Sequence, residues 1–519
     1  MDRSPATFTT LAERWSLAAA AAADATFLEF DQSGQDVAAW TYREFDAVVD
    51  RVRRTLAARG VRPGDCVHVV LPNCPAFLAV MLAAAQSGVT FLPSDPRSTA
   101  EELGRQSARV TPALAVCGSD QVAVYEASGA TAPALVVAPG DPSFGDLCAP
   151  GAEVAEGPDV MPAPDDTLAL MFTSGTTSEP KIVELTQANY AFAGEVMAAA
   201  AGLRLGSRFL VVLPLFHANA QYYSVAASIW VGGTVVLAGA FSASRFLEQA
   251  GRLRATHASL FAAPIRMILA RAEPTPLARP LENVWFSQNL TEDEYERFAA
   301  LVGCRPRQIY GMTETAPAVL ACRRLDPPAM TVGTPTLGCH VRLRDPATGA
   351  PVAAGATGEI QVGGFPGRSL FAGYRDNPAA TAAALVDAEP GGFAWLKTGD
   401  LGRVGPGGDV RFVGRGGDML KVAGENVSVV EIESLIVEHE GVRDAAVVGV
   451  ADPVRDEVPI AFVVAADGAS EDLADELMAW CHQRLSGPRR PAEIHVVDEL
   501  PRTAVGKIQR FRLTAARGG

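Results

Sequence analysis

The chain is short of positive charge: 44 Lys and Arg stand against 59 Asp and Glu, a formal net charge of −15. Phosphate backbones are bound by clustered Lys and Arg, so this balance excludes a general nucleic-acid surface, and any polyanionic ligand must meet a local basic pocket. Metal and disulfide patterns are missing too. The eight cysteines (Cys66, Cys74, Cys117, Cys148, Cys304, Cys322, Cys339 and Cys481) are scattered, with no C-x-x-C pair and no Cys/His cluster at metal spacing. They read as core thiols of a reduced compartment rather than as zinc ligands or disulfides. Apolar stretches such as 76–85 are too short and interrupted to span a bilayer, which takes ~20 apolar residues. The Ala-rich run 17–23 lies between acidic Asp2, Glu13 and Asp24, and so reads as a helix of a cytoplasmic protein, not a secretory leader. Neither an internal repeat nor a low-complexity tract is evident.

What is present is enough to fold as more than one domain, since 519 residues with 48% hydrophobic composition can bury a large core. Strand and helix signals alternate. A strand at 66–71 follows a helix at 44–58, then come a helix at 77–87 and strands at 89–93 and 114–117. A loose Gly/Pro/Ala-rich connection occupies 118–166, and a second αβ series runs through strands at 209–213, 234–237, 258–261, 284–287 and 308–310, with helices at 222–231 and 244–254. Such alternation predicts parallel sheets covered by helices. From about Thr331 short strands with Gly/Asp/Pro turns suggest a small β-barrel, and after Asp418 a compact α+β tail begins. The expected class is α/β: a large N-terminal domain (1–414) of two αβ subdomains plus the barrel, and a small mobile C-terminal domain (415–519).

The most informative stretch is Met171-Phe172-Thr173-Ser174-Gly175-Thr176-Thr177-Ser178-Glu179-Pro180-Lys181, predicted to lie between a strand at 168–172 and a helix at 186–201. Five hydroxyl residues around a glycine, followed by a lysine, suit phosphate oxygens: backbone N–H groups and hydroxyls donate, and Lys181 adds a point charge. A polar surface loop is the plain alternative. It is not a Walker A element, which needs Gly-Lys-[Ser/Thr] at its end. The string resembles the phosphate loop of the adenylate-forming superfamily, which comprises acyl-CoA and aryl-CoA ligases, luciferases and peptide-synthetase adenylation domains. That family usually has glycine where this chain has Ser178 and Ile182, and both changes stiffen the loop.

Further strings carry the same resemblance across nearly the whole chain. Tyr310-Gly311-Met312-Thr313-Glu314-Thr315 places an aromatic face, a glycine, hydroxyls and a carboxylate in consecutive positions. Without the resemblance it could be a strand edge with incidental polar residues. The resemblance implies that Tyr310 stacks on adenine beside Gly311 and Met312, that Thr313 contacts the α-phosphate, and that Glu314 holds Mg²⁺. Upstream, Gln288 stands in a segment that lies beside adenine in the family. Trp395-Leu396-Lys397-Thr398-Gly399-Asp400 ends in what could be an ordinary Asx turn; by resemblance Asp400 and Arg415 bind ribose. Phe216-His217-Ala218-Asn219 follows a strand, and His217 could equally be structural. By resemblance His217, Asn219, Tyr222 and Tyr223 border the acid pocket. Asp418 corresponds to the hinge, or to a plain flexible turn. Lys421 and Gly424 match the thiol-channel loop, alternatively a hairpin. Lys507, in Arg502-Thr503-Ala504-Val505-Gly506-Lys507, matches the catalytic lysine, where composition alone would give a solvated charge.

The implied activity is ATP-dependent conversion of a carboxylic acid to acyl-AMP with release of pyrophosphate, then transfer to a thiol. Catalysis would rest on Lys507, Glu314, Thr173 and His217, with Thr173, Ser174, Gly175, Thr176, Thr177 and Lys181 around the phosphates. ATP, Mg²⁺ and CoA are the implied cofactors and co-substrates. The strings around 214–224 and 289–315 look closest to carnitine/crotonobetaine-type and medium-chain CoA ligases. A stand-alone enzyme handing acyl-AMP to a carrier-protein thiol or another nucleophile is the alternative; a luciferase-type oxygenase and a silent nucleotide-binding protein are further ones. The oligomeric state stays open, a homodimer included.

Overall fold

The computed structural model describes residues 9–32, 37–148, 161–173, 180–271, 275–324, 326–328, 331–415, 419–422, 425–452, 456–485, 487–502 and 508–515. Ser174, Gly175, Thr176, Thr177, Asp418, Gly424 and Lys507 lie outside them, as does the side chain of Lys421.

Helix starts follow local sequence closely. Thr10 with Glu13, Thr41 with Glu44, Thr99 with Glu102 and Thr291 with Glu294 each form a reciprocal capping box at the head of a helix. These helices alternate with strands of two mainly parallel sheets. The seven-stranded sheet runs in the spatial order Gly373–Tyr374, Lys181–Thr186, Thr167–Thr173, Thr90–Pro93, Cys66–Val70, Leu114–Gly118, Ala134–Val137. The nine-stranded sheet runs Thr334–Pro335, Leu320–Ala321, Arg307–Tyr310, Asn283–Ser287, His257–Phe261, Arg208–Val211, Thr234–Ala238, Thr26–Asp31, Ala38–Thr41. One apolar cluster holds both together, drawing Phe27 and Leu237 from the second sheet and Phe91 and Leu185 from the first. The helix Pro75–Ser87 is buried at every residue but Gln86, as expected of a helix that is apolar on all sides.

Three sequence expectations change here. The phosphate stretch does not run directly into a helix: Lys181–Thr186 forms a strand antiparallel to Thr167–Thr173, and the helix Gln187–Ala201 starts only after Thr186 caps it. The connection over 118–166 contains the helix Val122–Ala127 and the edge strand Ala134–Val137. The expected helix at 222–231 begins as a π-helix, Asn219–Ala226, and turns α-helical only at Ala227–Val231.

The segment expected as a small barrel is a five-stranded antiparallel sheet in the order His340–Arg344, Thr357–Gly364, Ala394–Val404, Leu385–Val386, with Val410–Arg415 also paired to Ala394–Val404. Among the described residues its ladders follow an open path. The C-terminal part is α+β. Its sheet runs Glu425–Ser428, Met419–Val422, Asp456–Ala465, Val442–Asp452, with Glu493–Val496 on Asp456–Ala465. It has apolar clusters of its own, one built from Val422, Ile432, Val447, Val463 and Leu477. No helix among the described residues is long and apolar enough to cross a membrane.

Candidate active site

The nucleotide strings converge at the end of the strand Arg307–Tyr310. Tyr310 Oη donates to Asp400 Oδ2 at 2.7 Å, and Arg415 Nε donates to Asp400 Oδ1 at 2.8 Å. Asp400 and Arg415 are directly paired across neighbouring strands, so backbone register sets their distance. Thr398-Gly399-Asp400, expected as a turn, is an irregularity inside the long strand Ala394–Val404. Gly399 adopts φ +72°, a conformation costly for other residues, and Thr398 Oγ1 accepts from Asp400 N at 3.0 Å. Asp400 is thereby turned into the interior, only 4% exposed. Burial, and after it the charge of Asp400, push the Tyr310 phenol well above its ordinary value, so it keeps its proton and donates.

Beyond Tyr310 the chain makes a tight exit. A Cβ on Gly311 would lie 2.6 Å from Tyr223 Oη and 2.9 Å from Ala318 Cα, so only glycine fits. Thr315 Oγ1 accepts from Met312 N at 3.0 Å and closes the short turn Thr313–Thr315, which presents Glu314. Glu314 is 5% exposed, and Tyr374 Oη donates to its Oε1 at 3.0 Å. The opposite feature of the same tyrosine, its ring face, carries Lys181 Nζ at 4.6 Å from the centroid. Lys181 is the first residue of its strand and pairs with Thr173 across the hairpin. Ile182, where the family usually has glycine, is a buried strand residue paired with Phe172. Arg109 Nη1 donates to Pro180 O at 2.6 Å and fixes one end of the hairpin tip.

The acid side is built from packing. Asn73 holds the strand end that leads to His217: its Nδ2 donates to Leu213 O at 3.0 Å and to Ala238 O at 3.1 Å, and its Oδ1 accepts from Leu215 N at 2.7 Å. His217 packs against Phe216 with ring centroids 4.4 Å apart. Asn219, Tyr222 and Tyr223 then follow on the π-helix, all buried. Gln221, held by Tyr190 Oη and donating to Leu215 O at 2.7 Å, anchors its first turn. Tyr222 Oη reaches Met171 Sδ at 3.4 Å on the hairpin strand, which joins the acid side to the phosphate side. A Cβ at Gly194 would sit 2.8 Å from Ala226 O, so that glycine lets the neighbouring helix approach the π-helix. Gln288 has φ +75° at the end of its strand, and its carbonyl accepts from Gln308 Nε2 at 2.9 Å, two residues before Tyr310.

The profile described as AMP-binding enzyme matches residues 15–375, and that described as AMP-binding enzyme C-terminal domain matches residues 431–507. The chain belongs to the AMP-binding enzyme family. It is 33% identical to a crotonobetaine/carnitine–CoA ligase of Salmonella arizonae, over 97% of this chain and 98% of the relative. ATP-bound MatB from Rhodopseudomonas palustris superposes with a TM-score of 0.86 at 25% identity, covering 98% and 99% of the two chains. The o-succinylbenzoate CoA synthetase of Bacillus subtilis, with its acyl-adenylate, gives 0.82 at 26% identity and 98% coverage of each chain.

Within this AMP-binding enzyme the structure brings together Lys181, Tyr310, Gly311, Glu314, Tyr222, Tyr223, Asp400 and Arg415 through the contacts above. Sequence reasoning missed Tyr374, Arg109 and Asn73 as parts of the site. Nothing local to Tyr374 signals its role, because the contact to Glu314 spans 60 residues. Asn73 sat in view as a polar residue between a strand and an apolar helix. Lys421 lies on the strand Met419–Val422, paired with Glu425–Ser428 in a hairpin. Among the described residues no cluster of three or more His, Cys, Asp and Glu could hold a metal ion. Mg²⁺ keeps several waters and is held by one or two carboxylates together with substrate phosphates. Glu314, buried and already oriented by a hydroxyl, fits such a role.

Proposed function

We propose that Tyr310, Asp400 and Arg415 form the nucleoside end of the site, that Lys181, Glu314 and the 173–181 stretch form its phosphate end, and that the π-helix with His217 borders the acid. The enzyme is an AMP-forming acid–CoA ligase with ATP and CoA as substrates. The acid's carboxylate oxygen attacks the α-phosphorus, a C(O)–O–P bond forms, and the bond to pyrophosphate breaks. The thiolate of CoA then attacks the activated carbonyl, and AMP leaves with its electron pair.

Negative charge grows on the phosphates in the first step, and donors fixed in advance stabilise it without having to reorganise. Lys181 supplies one positive charge and Lys507 a second, the latter on its match to the family's catalytic lysine. Mg²⁺ bound with the nucleotide supplies charge neutralisation at the phosphate oxygens, and Glu314 is the residue that would hold it. Asp400 accepts from ribose hydroxyls, with Arg415, held on its Oδ1, as a second ribose contact. Lys507 and a thiol cannot occupy the carbonyl together, so the 415–519 part alternates about Asp418 between the two half-reactions.

The observation that carries this reading is the buried Asp400 gripped by both Tyr310 and Arg415, because three separate strings meet there in acceptor-and-donor order. An acid panel with ATP and Mg²⁺, with and without CoA, tests it. At least one acid should release pyrophosphate and, with CoA, yield its thioester. Pyrophosphate release that ignores the acid would overturn the reading. A thioester formed on a carrier-protein thiol but not on CoA would replace the acceptor only.

A further inference from the structure

Tyr374 is the residue that links the two ends of the phosphate site. It lies on the two-residue strand Gly373–Tyr374, added antiparallel to Lys181–Thr186 with Tyr374 opposite Val183. Four backbone contacts fix that strand. Ala372 N donates to Glu184 O and Arg375 N to Ile182 O, both at 2.9 Å, so the strand follows the hairpin. Phe371 N donates to Glu314 O at 2.9 Å, so it follows the Glu314 turn as well. Tyr374 N donates to Thr381 Oγ1 at 2.9 Å, on the helix Pro378–Ala384.

From this place one side chain satisfies two opposite charges by two different features. Its hydroxyl donates to Glu314 Oε1 at 3.0 Å, and its π-face receives Lys181 Nζ at 4.6 Å. An ammonium over a ring face is attracted by the ring quadrupole, and a phenol donating to a carboxylate is a charge-assisted hydrogen bond. By these two contacts Lys181 is met by a ring face and Glu314 by a hydroxyl.

We infer that Tyr374 is a positioning residue: it holds Glu314 ready for a phosphate-bound divalent cation and keeps Lys181 apart from Glu314, free for the phosphates themselves. The inference rests on the roles given to Lys181 and Glu314 above. It differs from a core tyrosine that merely needs somewhere to place its hydroxyl, because each half of the side chain should govern a different ligand.

Calorimetric titration of ATP in the absence of acid, with and without Mg²⁺, separates these. Tyr374→Phe keeps the ring and loses the hydroxyl. It should leave Mg²⁺-free ATP affinity unchanged and raise the Mg²⁺ concentration for half-maximal enhancement about 10-fold, the scale of lost outer-shell partners. Tyr374→Leu loses both features and should in addition weaken Mg²⁺-free ATP binding about 3-fold or more. If Tyr374→Phe titrates Mg²⁺ as the parent does, the inference is overturned, whatever Tyr374→Leu does to folding. Equal Mg²⁺-free affinity in a folded Tyr374→Leu would remove the Lys181 half of it. Should the parent itself bind ATP with no response to Mg²⁺, the assignment of Glu314 fails first, and this inference with it.

Discussion

The nucleotide side and the acid side of this site are built by different means. On the nucleotide side, polar groups are set by backbone register: Asp400 opposite Arg415, Thr173 opposite Lys181, Tyr374 on a strand added to the hairpin. On the acid side, buried rings and a π-helix set the shape, and the Tyr222 hydroxyl on that helix makes only a weak contact, to Met171 Sδ at 3.4 Å. A ligand common to a whole family can be met by fixed donors. A ligand that changes from member to member is better met by a wall whose shape follows from packing, and π-helical turns often occur at such places.

The sharpest break between the two sides is expected from Lys507→Ala. Acyl-AMP formation should fall about 100-fold or more, the scale of removing one preorganised donor, while CoA capture of supplied acyl-AMP and the melting temperature stay near parental. Measuring both half-reactions checks this; equal loss of both, or of neither, removes the role from Lys507. Next in size is Gly311→Ala, which tests where the sides join. Its Cβ would press on Tyr223 from one side and on the Ala318 backbone from the other. Overpacking of that kind costs about 1–3 kcal/mol, and KM should rise for both ATP and acid. A rise confined to one substrate would show that the two sides do not share this wall.

Effects of similar size or smaller come from a matched pair of Tyr→Phe changes. Tyr310 Oη donates to a buried carboxylate, whereas Tyr222 Oη reaches only a thioether. Losing a hydrogen bond to a charged group costs about 1.5–3 kcal/mol, so Tyr310→Phe should lower the melting temperature and raise the KM for ATP about 10-fold. Tyr222→Phe should cost under about 1 kcal/mol and leave the KM for ATP unchanged. Equal responses of the two variants would erase the distinction between register-set and packing-set contacts.

The same distinction explains what could be read from the sequence. Glu314, Asp400 and Lys181 could be singled out in the sequence because each stands in a string that resembles one family's nucleotide site. Tyr374 could not, since its importance arises from strand pairing with Lys181–Thr186, nearly two hundred residues away. The strand Lys181–Thr186 gave no signal of its own between the phosphate stretch and the helix at 186–201, since Ile182, Val183 and Leu185 are too few to show a strand's period. The π-helix was read as α because all of Asn219–Ala226 is buried, leaving no polar face to reveal its period. The fold class came through because alternating strands and helices are local features. The strand Thr26–Asp31 did not, because, Ala38–Thr41 apart, the other strands of its sheet come after residue 200.

The central claim is that ATP and an acid meet in one site and that the α-phosphate is the point of attack. Phosphorus NMR of a turnover mixture containing ATP, Mg²⁺, CoA and an activating acid tests this most directly. The expected result is AMP and pyrophosphate appearing together, each equal to the thioester formed, with none formed when the acid is left out. Accumulation of ADP and inorganic phosphate as the primary products would contradict it, since attack would then have fallen on the γ-phosphate.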